Sequence, residues 1–313
     1  MKTQSPAIRH DDRARPGALP LRLRLLRFVG RQTWIPRGHN RLVNLIWSQS
    51  SENEFPFEVD FFGMRYPGNL AESIDYHVFV FGAFARRELT LLEALTAELR
   101  KTKDRITFFD FGANIGHHTL FMSQRADEVI SFEPFPVLQE KLRQKVALNQ
   151  RTNIRLIPFA LGDEDTVLRY FPGGGGNSGA GTFIPESFET YDQPIEIPIR
   201  RGDSLFSELG LPRIDIVKID VEGFESRVFR GLAERLRRDR PPILMEMGDR
   251  CRSGFGSEDV YRSAFYEGAA FAEVAGRYGC EFKLRPFRYA SSREAIAVPP
   301  ELAPWLKSRI ETR

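Results

Sequence analysis

The chain has 313 residues, 42% hydrophobic and 28% charged, enough for one large globular domain or one domain with a substantial extension. A net charge of +3 and a pI near 8.9 are too mild to point to nucleic acid and suit a neutral or acidic substrate. No apolar run is long enough for a transmembrane helix, the N-terminus lacks a signal-peptide apolar region, and two cysteines, Cys251 and Cys280, are too few for a disulfide framework or zinc site, so reduced thiols in a cytoplasmic protein are expected.

Residues 1–18 are polar, with Arg and Pro, and predict a disordered tail. From Leu19 to Trp34 leucines alternate with Arg22, Arg24, Arg27 and Arg31. This predicts a short basic amphipathic helix packed on the body or on a second subunit, with peripheral membrane contact through 19–34 as the alternative. Phe57 to Tyr66 reads as strand, and Glu88, Leu89, Leu92 and Leu95 as helix. Residues 19–100 are therefore expected to be an N-terminal cap, and 101–313 the main domain.

From Ile106 strands and helices alternate. Ile106 to Phe111 is a short apolar strand, followed by a turn and a helix through Thr119 to Ser123. Glu128 to Phe132 is a second strand. Leu138, Leu142 and Val146 make one apolar helical face after Pro136, which suits a helix start. Ile154 to Leu161 is a third strand, ending in a Gly162-Asp163 turn. The run from Gly173 to Gly179 is too glycine-rich for an element interior; because the sheet pattern resumes beyond it, it predicts a mobile loop over a site rather than a linker. Then come a strand at Ile195 to Ile199, a helix N-capped by Asp203, a strand at Ile214 to Ile219, a helix from Glu222 to about Arg237, and a strand at Pro242 to Met247. Phe271 to Tyr278 reads as helix, and Glu281 to Arg285 with Glu294 to Val298 as a closing hairpin. The alternation predicts an α/β fold with a parallel sheet covered on both faces.

The first strand feeds into Asp110-Phe111-Gly112-Ala113-Asn114-Ile115-Gly116. Gly112 and Gly116 let the backbone turn tightly and approach a ligand, and the helix that follows starts with free N–H groups. Glu133 stands at the tip of the second strand, 23 residues beyond Asp110, where a carboxylate can grip a ribose diol. That geometry fits NAD and S-adenosylmethionine alike. A dinucleotide fingerprint sets Gly-x-Gly-x-x-Gly against a pyrophosphate. Here an acidic residue precedes the first glycine and the spacing is Gly112-x-x-x-Gly116, which better suits the cationic sulfonium and amino group of S-adenosylmethionine.

Asp110 to Leu120 resembles the signature of the FkbM family of methyltransferases. Phe132-Glu133-Pro134, Asn149, Ala160-Leu161-Gly162-Asp163 and Lys218-Ile219-Asp220-Val221-Glu222-Gly223-Phe224-Glu225 follow in that family's order, and Pro241 to Glu246 resembles its strand ending in a glutamate. The family usually carries an aromatic where His117 and His118 stand. The resemblance spans roughly Asn69 to Met247. It implies a Rossmann-like class I methyltransferase with a mostly parallel sheet of about seven strands. It also implies O-methylation of a hydroxyl on a sugar, glycolipid, glycan or polyketide-type product. Expected cofactor residues are Asp110, Gly112, Ala113, Asn114, Gly116, Thr119, Glu133, Pro134, Ala160, Leu161 and Asp220.

Lys218, Asp220, Glu222 and Glu225 cluster where the fourth strand meets its helix, the end at which open parallel sheets bind ligands. Glu222 and Glu225 are expected one turn apart on one helical face, as catalytic groups or as favourable charge in a first helical turn; for Asp220 an N-cap role competes. Methyl transfer needs alignment of the acceptor oxygen and exclusion of water, plus a base for an alcohol. Asp220 or Glu222 is the candidate base, Lys218 could orient it, and His118 is a rival base titrating near neutrality. No metal is expected, although carboxylates at 220, 222 and 246 could alternatively hold a divalent ion. Two other functions stay open: an NAD-dependent oxidoreductase, and an inactive domain that binds a partner through Leu19–Trp34. Expected partners are a small-molecule or glycan acceptor, with a second copy of the chain as a further open partner.

Overall fold

The computed structural model describes residues 19–32, 39–47, 54–174, 178–186, 191–276 and 281–311. The expectations for the 1–18 tail, Trp34, Gly175 to Asn177, Tyr278 and Cys280 fall outside these residues. The chain divides into two units, Met1–Phe84 and Ala85–Arg313.

In the first unit, α1 (Leu21–Gly30) packs against α2 (His39–Ile46), and Arg22 Nε–H donates to the Ile46 carbonyl at 2.5 Å. The hairpin β1 (Pro56–Phe61) and β2 (Met64–Asn69) turns at Phe62 and Gly63, both at positive φ (53° and 83°), as a tight hairpin with the right twist demands. Helix α3 (Ser73–Phe81) follows. Its buried Asp75 accepts hydrogen bonds from the Tyr66 hydroxyl and the Asn69 amide, each at 2.9 Å, and so ties helix to hairpin.

The second unit opens with α4 (Arg86–Leu99), whose Leu89, Leu92 and Leu95 are fully buried. Then β3 (Thr107–Phe111), α5 (His117–Ser123), β4 (Glu128–Phe132), α6 (Pro136–Leu148) and β5 (Ile154–Ile157) alternate as predicted. Every residue of β3 is buried, as for a strand covered on both faces. The predicted third strand is in fact two. At Pro158 and Phe159 the chain leaves the main sheet, and β6 (Ala160–Gly162) joins β7 (Thr166–Tyr170) and β8 (Ile195–Arg201) in a separate sheet of order β6-β8-β7.

After α7 (Gly202–Glu208) come β9 (Ile216–Ile219), α8 (Glu225–Gly231), α9 (Ala233–Asp239) and β10 (Ile243–Glu246). The single helix expected from Glu222 is these two, and residues 220–224 are loop. Asp203 does not cap its own helix: its carboxylate accepts the backbone N–H groups of Glu234 and Arg235 at 3.1 and 3.0 Å, in the first turn of α9, where a carboxylate is favoured.

The chain closes with α10 (Asp249–Phe255), α11 (Glu258–Ser263), β11 (Ala270–Ala275), β12 (Lys283–Pro286), β13 (Glu294–Val298) and α12 (Ala303–Lys307). The helix expected from Phe271 is strand β11. It lies between β12 and β13, so those two are not hairpin partners. The main sheet has eight strands rather than about seven, in the order β12-β11-β13-β10-β9-β3-β4-β5, with parallel pairing from β10 through β5 and antiparallel pairing beyond. The fold is a Rossmann-like α/β fold with helices on the faces of a mostly parallel sheet. Phe109, Phe111, Phe132 and Phe206 pack under the parallel strands, each burial contributing about 1.5–3 kcal/mol. They fix the carboxyl ends of β3, β4 and β9 beside one another.

Candidate active site

The loops at those carboxyl ends surround a cleft lined by Gly112, Asn114, Glu133, Asp220 and Glu222. The turn after β3 is built by close approach. Gly112 has φ of 79°, and a Cβ there would sit 1.8 Å from the Asp220 carbonyl oxygen. Only glycine fits both the backbone and the gap. Gly112 and Ala113 donate to the Phe132 carbonyl, which clamps this turn to the end of β4.

Glu133 lines the cleft. Its carboxylate accepts the Asn114 N–H at 2.8 Å and the Phe135 N–H at 2.9 Å, one on each oxygen. Burial pushes it up to about 7, against the pull of those two N–H groups. Asn114 at φ 54° spends its side chain locally: the oxygen accepts from Ile115 N–H and the amide donates to the Gly179 carbonyl at 3.3 Å. This last bond brings the described part of the glycine-rich segment onto the cofactor turn. Gly179 and Gly181 line the cleft, and the Thr182 hydroxyl donates to the Glu222 carbonyl. A Cβ on Gly181 would lie 2.0 Å from the Tyr170 hydroxyl, so that contact also depends on glycine.

Two more carboxylates, Asp220 and Glu222, line the cleft from the loop after β9. Lys218, buried on β9, donates to the Gly112 carbonyl at 3.2 Å and pairs with Asp220 at 3.0 Å; Asp110 lies 3.9 Å away. Burial opposes the lysine's charge, but Asp220, Asp110 and Glu88 outweigh it and raise its affinity for the proton. Burial likewise works to raise Asp220, and the Lys218 ammonium overrides it, holding the carboxyl below its usual range. Glu222 stands at φ 51°, a costly backbone for a non-glycine residue. Burial and the charges of Asp220 and Glu225 push it up to about 8. Oxygens of Asp220, Glu222 and Glu246 lie within 4.8 Å of one another, so the structure does gather the three carboxylates considered as an alternative metal site.

Of the expected cofactor residues, Gly112, Asn114, Glu133, Pro134, Ala160, Leu161 and Asp220 line the cleft, while Asp110, Ala113, Gly116 and Thr119 stand behind it. Asp110 is fully buried and accepts from the Thr119 hydroxyl at 2.7 Å. It supports Lys218 and does not reach the cleft to meet a cationic ligand. Gly116 packs against Leu142. Of the expected catalytic residues, Asp220 and Glu222 line the cleft, and Lys218 and His118 do not. His118 is buried, 3.0 Å from Glu88. Burial and the Lys218 charge push it well below the usual histidine range, and it does not line the cleft where an acceptor would meet a base. Glu225 shares no helical face with Glu222. It is buried and accepts the Val221 and Gly223 N–H groups, each at 3.2 Å, shaping the loop that presents Glu222.

The sequence reading missed the walls: Phe132, Leu138, Phe159, Tyr170, Phe183 and Phe224. Phe132 and Phe224 stand in the motif segments and Leu138 on the apolar helical face, but for Phe159 and Phe183 the high phenylalanine count, 26 of 313 residues, is the only signal. Apolar and aromatic side chains beside carboxylates suit a ligand that, like S-adenosylmethionine, carries both an adenosyl group and positive charge.

The family model described as the methyltransferase FkbM domain matches residues 110–266, half of the chain. The methyltransferase sdnD of Sordaria araneosa is 30% identical over 157 residues, covering 40% of this chain and 60% of that protein. The 2-O-methyltransferase NoeI of Sinorhizobium fredii is 28% identical over 145 residues, 42% of this chain and 59% of the other. A solved methyltransferase FkbM structure from Methylobacillus flagellatus aligns at 14% identity over 63% of this chain and 44% of its own, with a TM-score of 0.42. The matches thus span about three fifths or less of these curated relatives.

Proposed function

This chain belongs to the methyltransferase FkbM family, and from that premise we propose that it O-methylates a hydroxyl of a sugar, glycolipid, glycan or polyketide-type natural product. Its cofactor is S-adenosyl-L-methionine, in place of the NAD that the glycine turn alone left open. The observation that carries the proposal is the lining of one cleft, which brings together the Glu133 carboxylate, aromatic side chains, and Asp220 with Glu222.

When bound, the cofactor supplies an electrophilic methyl group on a sulfonium. Glu133 holds the ribose hydroxyls, and Asp220, kept ionised by Lys218, favours the positive charge of the cofactor. The aromatic walls exclude water from around the bound cofactor. Glu222 takes the acceptor's hydroxyl proton as the O–CH₃ bond forms, because its raised proton affinity of about 8 makes it a better base than Asp220. Similarity to a 2-O-methyltransferase supports transfer to oxygen, and similarity to the hexuronic acid methyltransferase AglP of Haloferax volcanii, 28% identical over 145 residues, supports a sugar-type acceptor.

The test is incubation with methyl-labelled S-adenosylmethionine and a host extract, followed by identification of the labelled species. Label on a carbohydrate or polyketide hydroxyl is expected; label on nitrogen, or none, defeats the proposal. With the acceptor in hand, turnover is expected to rise with pH through about 8 as Glu222 loses its proton, and Glu222→Gln to lower kcat with little change in cofactor affinity. A flat parent profile would remove Glu222 as base.

A further inference from the structure

The α1–α2 pair lies outside the family match at 110–266, and none of its residues lines the cleft. Leu21, Leu25 and Phe28 are 78%, 49% and 66% exposed. Their spacing places them on one stripe of α1. The residues that α1 buries, Leu23, Leu26 and Gly30, fall on the opposite side, so the stripe is no fringe of the core. Arg22 holds the last turn of α2 against the first turn of α1, and there Leu42 and Leu45 are 46% and 82% exposed. Among the described residues, five of the nine exposed large hydrophobics thus fall in these two short helices. Apolar side chains clustered on a surface mark a contact.

Charge identifies the partner. Between Arg13 and Ser51 the sequence carries eight arginines and no Asp, Glu or Lys. On α1, Arg24 and Arg31 flank the apolar stripe on one side and Arg22 on the other, by helical spacing. Packing this face on a second copy would set arginine against arginine with no carboxylate to relieve it. An anionic lipid surface satisfies both features: leucine and phenylalanine enter the boundary between headgroups and acyl chains, and guanidinium groups pair with lipid phosphates. We propose that α1 and α2 form a peripheral docking surface for anionic lipid bilayers. No helix among the described residues is long and apolar enough to cross a membrane, so the contact is superficial.

The full chain is floated with phosphatidylcholine vesicles, with and without phosphatidylglycerol, at low and high salt. Flotation with phosphatidylglycerol vesicles and its loss at high salt are expected. Leu21→Ser/Leu25→Ser/Phe28→Ser, and separately Arg24→Glu/Arg31→Glu, should each weaken vesicle binding about tenfold or more. Calorimetry should find S-adenosylmethionine affinity unchanged in both, which shows that the second unit is intact. Absence of flotation, equal flotation on phosphatidylcholine alone, or undiminished flotation of both variants overturns the proposal. So does a parent that does not float and is a dimer by light scattering but becomes a monomer in the triple variant, which would assign the stripe to a second copy.

Discussion

Replacing Glu133 with glutamine isolates the residue on which the cofactor reading turns. In the parent, each carboxylate oxygen accepts one backbone N–H, from Asn114 at 2.8 Å and from Phe135 at 2.9 Å. Glutamine keeps one acceptor oxygen and turns an NH₂ toward the other donor. One buried N–H then loses its partner, which should cost about 1–3 kcal/mol of stability. A ribose diol loses one charge-assisted bond, about 1.5–3 kcal/mol, so the Kd for S-adenosylmethionine should rise roughly tenfold to hundredfold. The pH dependence sharpens the test. Burial raises Glu133 to about 7, above its ordinary value of 4.5, so the free folded protein gains stability from its protonation at low pH and loses that contribution as pH climbs through about 7. Cofactor binding has the opposite sign, because a carboxylate accepting two N–H groups and two ribose hydroxyls has no place for a proton. Parent affinity should therefore increase between about pH 6 and pH 8, with proton release, and the variant should lose that slope. Calorimetry in two buffers of different ionisation enthalpy reads both quantities, with circular dichroism to confirm the fold. A variant that is folded and binds within about twofold of the parent near pH 8 would refute the ribose assignment.

Lys218→Met should destabilise the protein by about 3 kcal/mol in urea denaturation, because buried Asp110 and half-buried Asp220 lose their shared cation; a loss below about 1 kcal/mol would show that the pair is not held by this charge. Gly112→Ala should abolish cofactor binding and lower stability by about 2–4 kcal/mol, since the new Cβ would overlap the Asp220 carbonyl oxygen. Normal binding by Gly112→Ala would mean that β3 and β9 separate freely at this end. Chelation with EDTA should leave turnover unchanged, with protons relieving the repulsion among Asp220, Glu222 and Glu246; activity lost to EDTA and restored by a divalent ion would replace Glu222 as base with metal-assisted deprotonation.

Much of the cofactor end was legible because its requirements are local. Gly112, Asn114 and Glu133 sit at strand tips, and a strand tip is readable from the apolar run before it. The same logic failed at Ile154 to Leu161. Periodicity cannot reveal that Pro158 and Phe159 transfer the chain to another sheet. It failed again at Phe271, where a β-strand completes the sheet edge, because short apolar runs are ambiguous between helix and strand until their neighbours are known. Glu225 and Asp203 were read as acting within their own helices. Both instead serve backbone N–H groups elsewhere, in the 221–223 loop and in the first turn of α9, and a partner that arrives through folding leaves no trace in spacing.

The sequence by itself determined the fold class, the family and the position of the glycine turn, because alternation of apolar runs and the need for positive φ are written residue by residue. Only the tertiary structure separated residues that meet the cleft from residues that hold it up. Asp110 and Asp220 both stand at carboxyl ends of adjacent parallel strands, β3 and β9, yet Asp110 turns inward onto Thr119 and Lys218 while Asp220 faces the cleft. Burial and the position of one lysine, set by chain segments more than a hundred residues apart, decide that difference.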